Sequence, residues 1–249
     1  LVASLLSTTS PAATPKIASE RKLVPPGVES GGELGWAVAL DRGTMVVGAD
    51  QDNRAIAGGG AAFVYVGAPA APTLQATLTA SDADAGDNLG ISVAIDGDAA
   101  LAGAFHRFAP TPAPGKAYVF RRTGSAWTQE AKLVAPDGQN NDAFGWAVAI
   151  VGDIAVVGAP KAWVGSPSGA GGVYVFERVD GVWVYDTKLT RPSEYTFGWS
   201  VAFDGTTLVV GASLGVSPSA GRVFVYEHDQ TGTWVFQQQL APADLAPNA

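Results

Sequence analysis

The sequence contains no cysteine and only two histidines among its 249 residues. Disulfides, thiolate nucleophiles and zinc–thiolate sites are therefore excluded, and a transition-metal centre would lack most of its usual ligands. Basic residues are also scarce. The 15 Lys and Arg stand against 23 Asp and Glu, so the basic footprint of a nucleic-acid-binding protein is missing. No apolar run is long enough to span a membrane.

Hydrophobic residues make up 47% of the chain and 31 residues are glycine, a composition that favours a packed fold with many turns over disorder. The first residue is Leu1 rather than methionine. Residues 1–6 (LVASLL), followed by Ser, Thr, Pro and Ala, fit either the tail of an export signal or an ordinary tether.

Four copies of one unit make up most of the chain. A Leu-Gly or Phe-Gly pair begins at residues 34, 89, 144 and 197, with spacings of 55, 55 and 53 residues. A Gly-Ala pair starts 14 residues after each, at residues 48, 103, 158 and 211. This constant internal distance predicts a repeat architecture in which each unit buries its faces against its neighbours.

Each unit is predicted to form four β-strands, a to d. Strand a alternates large apolar side chains with Ala or Ser, and because both of its faces avoid charge we expect both to be buried. An Asp- or Gly-containing turn leads to strand b, and a variable loop leads to an aromatic, β-branched strand c. Strand d opens at Trp127, Trp183 and Trp234, and residues 22–26 (KLVPP) look like a fifth strand d.

The pattern predicts an all-β fold in which four-stranded antiparallel blades form a β-propeller. A β-solenoid usually has a shorter repeat and a β-sandwich need not repeat, so both are weaker alternatives. We expect a disordered or tethering segment, then the repeats, then a short tail, over residues 1–21, 22–242 and 243–249. The repeats themselves run over residues 34–88, 89–143, 144–196 and 197–242.

The third unit carries Phe144-Gly145 and Gly158-Ala159-Pro160, and so resembles the FG-GAP repeat. The resemblance covers about residues 22 to 242. FG-GAP repeats build the propellers of integrin α chains, some fungal lectins and many exported bacterial proteins. The resemblance therefore implies a seven-bladed ring, a place outside the cytoplasm and recognition of a ligand that it does not identify.

Two departures from the family pattern matter. Integrin-type repeats often carry a calcium loop between strands a and b, whereas here that connection is a short hairpin turn, so we expect no such calcium site. The blade count also differs from seven. The four units are part of a larger ring, or a four-bladed ring with a surplus strand, or a ring that a partner completes.

Candidate catalytic residues are few. His106 and His228 occupy different repeat positions, no nucleophile motif accompanies them, and His106 is expected to be a solvated loop residue. Asp82, Asp84 and Asp87 precede the second strand a, where they form either a solvated, turn-rich rim, a weak calcium site or the carboxylates of a polysaccharide hydrolase or lyase. Apart from that weak calcium candidate we expect no cofactor and no metal.

The variable loops between strands b and c are the predicted recognition surface, because function concentrates on loops. They supply five candidate ligand-binding residues: Asp50, Asp52, His106, Arg107 and Trp163. The tryptophans that recur at fixed repeat positions are better explained by packing between blades, although repeated aromatics would also suit a multivalent lectin.

We therefore expect a non-catalytic recognition module for a protein or glycan, placed in the extracellular space, in the periplasm or on the cell surface. The main alternative is a structural or accessory subunit of a larger surface or membrane-associated assembly, which would dock through an uncovered edge. We expect no nucleic-acid partner and no membrane span.

Overall fold

A computed structural model describes residues 22–68, 70–106, 112–162, 170–191, 194–214, 221–229 and 231–241. These residues form sixteen β-strands and no helix. Blade 1 contains β1 (Leu34–Asp41), β2 (Thr44–Ala49), β3 (Ala61–Val66) and β4 (Thr73–Leu78). Blade 2 contains β5 (Ser92–Asp96), β6 (Ala99–Ala104), β7 (Lys116–Thr123) and β8 (Ala126–Leu133). Blade 3 contains β9 (Ala147–Val151), β10 (Ile154–Ala159), β11 (Gly172–Val179) and β12 (Val182–Thr190). Blade 4 contains β13 (Tyr195–Phe203), β14 (Thr207–Leu214), β15 (Arg222–His228) and β16 (Trp234–Leu240).

Each blade is an antiparallel sheet whose strands pair in chain order. The predicted strands a to d are therefore confirmed, and so is the all-β blade architecture of a propeller. The alternating pattern of strand a and the β-branched pattern of strands b and c are the sequence features that produce these sheets. In every blade the c–d pairing shifts register at one point, so that strand d carries a bulge.

The blades stack face to face, and each junction is a separate apolar core. Between blades 1 and 2, Val46 and Val64 belong to the same buried cluster as Tyr118 and Phe120. The corresponding residues of later blades form the other two cores. A single blade could not bury both of its faces, so these junctions supply the apolar burial that stabilises the fold.

The motif pairs join neighbouring blades at the inner strands. Leu89, Phe144 and Phe197 each form a parallel bridge with a glycine of the preceding blade, namely Gly60, Gly115 and Gly171 respectively. The glycine that follows each motif residue has φ between 91° and 93° in blades 2 to 4, a conformation that only glycine adopts at low cost. The Phe/Leu-Gly pair is therefore a junction element as well as the start of a strand.

The bulge on strand d ties the outer strands together. Trp127 Nε1 donates to Gln75 Oε1 at 2.8 Å, and Trp183 Nε1 donates to Glu130 Oε2 at 2.9 Å. In both cases the indole belongs to one blade and the acceptor to the bulge of the blade before it. Arg178 reinforces the second tie by donating to Glu130 Oε1. The recurring tryptophans of strand d thus pack between blades, as the sequence indicated.

Two sequence expectations are wrong. Both faces of strand a were expected to be buried, but Val38 and Leu40 on β1 are 71% and 70% exposed, because none of the described residues covers that face. Residues 22–33 contain no strand, so the predicted fifth strand d is absent; Pro25 and Pro26 have no N–H to pair in a ladder. Leu23 nevertheless packs against the cluster that contains Phe63 and Tyr65.

Candidate functional site

One face of the ring carries all the b–c and d–a connections, because the strands of each blade alternate in direction and these connections end on the same side. We call it the connection face. Most of the candidate residues identified from the sequence lie on this face. The a–b turns lie on the opposite side, where Asp41 and Asp96 accept hydrogen bonds from the backbone N–H groups of Gly97 and Gly152 in the next blade.

Asp82 is held by two side chains of the blade that follows it. Tyr118 Oη donates to Asp82 Oδ1 at 2.9 Å, and Lys132 Nζ donates to Asp82 Oδ2 at 2.6 Å. Burial would raise the pKa of Asp82, but the hydrogen bonds from Lys132 and Tyr118 outweigh it and hold the pKa below its usual value. The carboxylate is therefore ionised at neutral pH.

The same arrangement recurs one blade later. Tyr174 Oη donates to Asp137 Oδ1 at 2.8 Å, and Lys188 Nζ donates to Asp137 Oδ2 at 2.7 Å. Blades 1 and 4 have Phe63 and Phe224 in place of these tyrosines and lack the arrangement. We call these two Asp–Tyr–Lys sets the connector latches, since each fixes a d–a connection onto the blade that follows.

Sequence reasoning missed the latches. It treated Asp82 as a rim carboxylate, a calcium ligand or a catalytic acid and did not consider its partners, and it did not single out Asp137. The signal that would have found them is the recurrence of Tyr and Lys at matched positions of repeats 2 and 3, together with their absence from repeats 1 and 4.

Lys116 stands between the other two members of the proposed calcium group. Its Nζ lies 2.9 Å from both Asp84 Oδ2 and Asp87 Oδ2. The ammonium thus occupies the position between these carboxylates that a bound cation would need. Within the ranges that the structure describes, no three acidic or histidine side chains form a group that would hold a metal ion.

His106 is a buried residue and not the solvated loop histidine that the sequence predicted. Its side chain is 4% exposed, and its Nδ1 lies 2.8 Å from Asp87 Oδ1. Asp87 is itself fully buried and also caps the turn at Asp84, whose N–H donates to Oδ2. This Asp–His pair fixes the b–c loop of blade 2 against the connection that enters the same blade.

Asp50 and Asp52 are also buried, so neither offers its carboxylate to solvent. Arg54 binds Asp52 through two hydrogen bonds, of 2.7 and 3.0 Å, and stacks over the ring of Phe63. Asp50 Oδ1 has no hydrogen-bond partner among the described residues. Burial raises the pKa of Asp50 to about 6, and the nearby carboxylate of Glu33 adds to the rise. Ligand binding by these two residues stays a prediction.

An aromatic row crosses the connection face at the inner ends of the blades. Trp146 packs edge-to-face on Phe105 with ring centroids 5.0 Å apart. It also contacts Trp199 of the next blade, with ring planes tilted by 47° and centroids 4.6 Å apart. Trp199 is 39% exposed. We call Phe105, Trp146 and Trp199 the aromatic row. Trp146 and Trp199 therefore pack against each other between blades, while Trp36, at the same position of blade 1, is 49% exposed. Trp199 also presents aromatic surface to solvent.

A small pocket of about 70 Å³ adjoins this row, and its polar lining comes from Asn141 and Lys161. Both side chains are exposed, and neither was singled out from the sequence. The remaining lining residues are Phe105, His106 and Ala143. Arg107 and Trp163, the other two predicted ligand-binding residues, lie outside the described residues.

The axis of the ring is an open groove of about 420 Å³ between the strands a of the four blades. Its lining is mostly Ala, Val, Ile and Leu, with Asp41 and Asp96 at one end. None of the described segments forms a helix that could cross a membrane.

The blades and their repeated junctions define the chain as a β-propeller repeat protein. The family model of the FG-GAP repeat matches residues 18–65, 72–120, 127–176 and 193–226. The chain belongs to the FG-GAP repeat family, as the motifs of the third unit predicted. No protein of curated function matches the sequence.

Two solved structures resemble this chain at low identity. A protein of Bacteroides uniformis provisionally named a 6-phosphogluconolactonase is 12% identical, with a TM-score of 0.54 over 85% of this chain and 58% of that chain. This chain thus spans little more than half the length of that protein, and at this identity the likeness shows the fold alone. A similarly named protein of Bacteroides fragilis is 14% identical, with a TM-score of 0.41 over 82% of this chain and 69% of that one.

Proposed function

We propose that this protein is a non-catalytic recognition module that binds a glycan on its connection face, with the aromatic row as the platform. The observation that carries the proposal is the contact between Trp146 and Trp199, in a row that reaches through Phe105 to a pocket with polar walls. Sugar rings present apolar C–H faces that stack on aromatic side chains, and their hydroxyls need donors and acceptors nearby. Asn141 and Lys161 would supply them.

The carboxylates of this face favour recognition over catalysis. A glycosidase needs one carboxyl that stays protonated near neutral pH beside a second that is ionised. Burial raises the pKa values of Asp82 and Asp137, but hydrogen bonds from their lysine and tyrosine partners lower them by more, so both carboxyls are ionised near neutral pH. Asp50, with its raised pKa, is fully buried and out of reach of a polymeric substrate. Asp82, Asp137 and Asp50 therefore do not form such a pair, which argues against the polysaccharide-acting alternative.

The fixed d–a connections also suit recognition. The connector latches and the Asp87–His106 pair hold the connections that enter blades 2 and 3 before a ligand arrives, so less conformational entropy is lost on binding. We place the protein outside the cytoplasm, in keeping with the family resemblance. Fractionation of the native source, with the protein found in a cytoplasmic fraction, would contradict that placement.

A glycan array followed by calorimetry with the best sugar tests the proposal. We expect Trp199→Ala to weaken binding by about tenfold, because an aromatic contact contributes roughly 0.5–1.5 kcal/mol beyond its buried area. Tyr185→Ala is the matched control, since Tyr185 is an aromatic of similar exposure, 43%, on an outer strand. Its affinity should equal that of the wild type.

Three results would contradict the proposal. Equal losses in Trp199→Ala and Tyr185→Ala would show that the row is not the platform. Binding of a protein partner with no sugar bound on the array would identify a different ligand class. Turnover of the bound sugar or of a sugar lactone would show that the protein is an enzyme.

A further inference from the structure

Two acidic side chains face each other on the connection face of blade 1. Leu34 of β1 is paired with Ala49 of β2, so Glu33 stands directly opposite Asp50. Burial raises the pKa of Asp50, and the charge of Glu33 and a hydrogen bond with the Glu33 carboxyl raise it further, so the two groups are close neighbours. We call Glu33 and Asp50 the facing carboxyls.

The equivalent pair in blade 4 shows that side chains at these two positions meet. Thr196 precedes the Phe-Gly pair of that blade, as Glu33 precedes the Leu-Gly pair of blade 1. Ser213 follows Gly-Ala, as Asp50 does, and the hydroxyls of Thr196 and Ser213 are hydrogen-bonded at 3.1 Å. The backbone is also alike, with φ of 53° at Glu33 and 58° at Thr196. Blade 1 therefore has two carboxyls where blade 4 has two hydroxyls.

One oxygen of Asp50 is buried without a partner. The residue is fully buried, and its Oδ1 atom accepts no hydrogen bond from any described residue. Arg54, the basic residue of the same loop, is already bound to Asp52 by hydrogen bonds of 2.7 and 3.0 Å. Within the described part of the chain, no lysine or arginine forms an ion pair with Glu33 or Asp50. A buried carboxylate beside a second carboxylate is unfavourable unless a positive charge joins them.

We propose that the facing carboxyls bind a calcium ion, with Asp50 Oδ1 as one ligand and the Glu33 carboxylate as another. Calcium takes about six to eight oxygen ligands in a flexible geometry. The side-chain amide of Gln51 adjoins the site, with its nitrogen 3.3 Å from Asp50 Oδ2, and rotation of the amide would present its oxygen instead. Water would complete the coordination. Magnesium fits less well, because it requires near-ideal octahedral geometry.

The loop that carries Asp50 is held in place by two hydrogen bonds. Asn88 Nδ2 of the next blade donates to the Asp50 carbonyl at 3.1 Å, and the Asp52 N–H donates to the Ala49 carbonyl at 3.0 Å. The Asp50 ligand is therefore fixed, whereas Glu33 is exposed and its side chain can turn outward to admit the ion. Because only two carboxylates contribute, we expect weak binding, with a dissociation constant of about 10⁻⁴–10⁻³ M, as in extracellular calcium modules.

Calorimetric titration of the chelator-treated full chain with calcium chloride tests the inference. A slightly alkaline buffer keeps both carboxyls ionised, since burial raises the pKa of Asp50 only to about 6. We expect saturable binding of calcium, weaker by about tenfold or more in Asp50→Asn, in Glu33→Gln and for magnesium chloride. Glu29→Gln is the matched control, because Glu29 is an exposed carboxyl of the same segment and forms no ion pair with a described residue. Its affinity should equal that of the wild type.

Urea denaturation gives a second readout and shows that each variant folds. Without calcium, Asp50→Asn should be more stable than the wild type, and calcium should reduce that difference because it stabilises the wild type alone. No binding by the wild type at millimolar calcium overturns the inference. So does binding that survives both Asp50→Asn and Glu33→Gln, or magnesium binding as tight as that of calcium. The outcome is separate from that of the glycan test, because all of these variants keep Trp146 and Trp199.

Discussion

Gly103 and Gly211 occupy equivalent positions in two blades, and we predict that the same substitution destabilises the protein at the first but not at the second. Gly103→Ala places a methyl group 1.9 Å from the carbonyl oxygen of Gly145. Ordinary van der Waals contact begins near 3.4 Å, so the two blades would have to separate by about 1.5 Å. Backbone atoms stand on both sides of the contact, and no flexible side chain can absorb the shift.

The expected cost follows from the cost of overpacking a close-packed core. Added methyl groups in such cores destabilise by about 1–3 kcal/mol. We expect the upper end of that range for Gly103→Ala, because the Ser92 hydroxyl, which donates to the same carbonyl at 2.8 Å, also loses its place. For a domain of this size, a loss of about 3 kcal/mol lowers the melting temperature by roughly 6–12 °C.

Gly211→Ala is the matched control. Its Cβ atom would meet the Ser200 hydroxyl at 2.3 Å, as that of Gly103 would meet the Ser92 hydroxyl, but its nearest described contacts are all with atoms of Ser200. The serine can rotate, and alanine restricts the unfolded chain more than glycine does, so the net change should be near zero. Urea denaturation measures both variants. Equal losses at the two positions would refute the junction geometry.

Three further predictions concern buried polar groups, and denaturant titrations across pH check each of them. Burial raises the pKa of Glu130, but hydrogen bonds from Trp183 and two arginines lower it by more, so the pKa in the folded state is below its usual value. The ionised carboxylate therefore stabilises the fold at pH values above the unfolded pKa, and this stabilisation is lost as the pH falls through the folded pKa. Glu130→Gln should lower the free energy of unfolding by about 1–3 kcal/mol at pH 7 and weaken its dependence on pH in the acid range. An unchanged pH dependence in that range would contradict this prediction. Asp50 has its pKa raised to about 6, so the folded state loses stability as pH rises from about 4 to 6. Asp50→Asn should therefore add up to about 3 kcal/mol at pH 7 and nothing at pH 3, whereas a gain at both values would point to another cause. Tyr174→Phe should cost about 1.5 kcal/mol through its lost bond to Asp137, while Phe224→Tyr, in the blade without a latch, should add nothing. If Tyr174→Phe and Phe224→Tyr changed the stability by equal and opposite amounts, the hydrogen bond to Asp137 would not be the source of the effect.

The fold was accessible from the sequence because its signals are local and repeated. Period-two alternation, Asp-Gly turns and the fixed Gly-Ala spacing each act within one unit, and four copies reinforced them. The errors concern what lies beyond a unit. The exposure of Val38 depends on a missing neighbour, and no pattern within its own strand indicates that.

The candidate site was less accessible because its partners are distant in sequence. Asp82 is 50 residues from Lys132, and Asp87 is 19 residues from His106. Acidic residues in a Gly- and Asn-rich connection look solvated when they are considered alone. Their pairing became visible once strand order placed each connection beside strands c and d of the following blade.

The identity of all three junctions has a consequence for how such chains change over time. At each junction the Phe/Leu-Gly pair of one blade meets the glycine of Gly-Ala in the blade before it, so loss of one whole repeat by unequal recombination leaves a compatible pair behind. Removal of residues 89–143, for example, would bring Phe144-Gly145 of blade 3 to Gly48 of blade 1. Loss of half a repeat would instead leave one of these glycines without its partner. Inheritance in whole units thus preserves the fold while the number of blades varies.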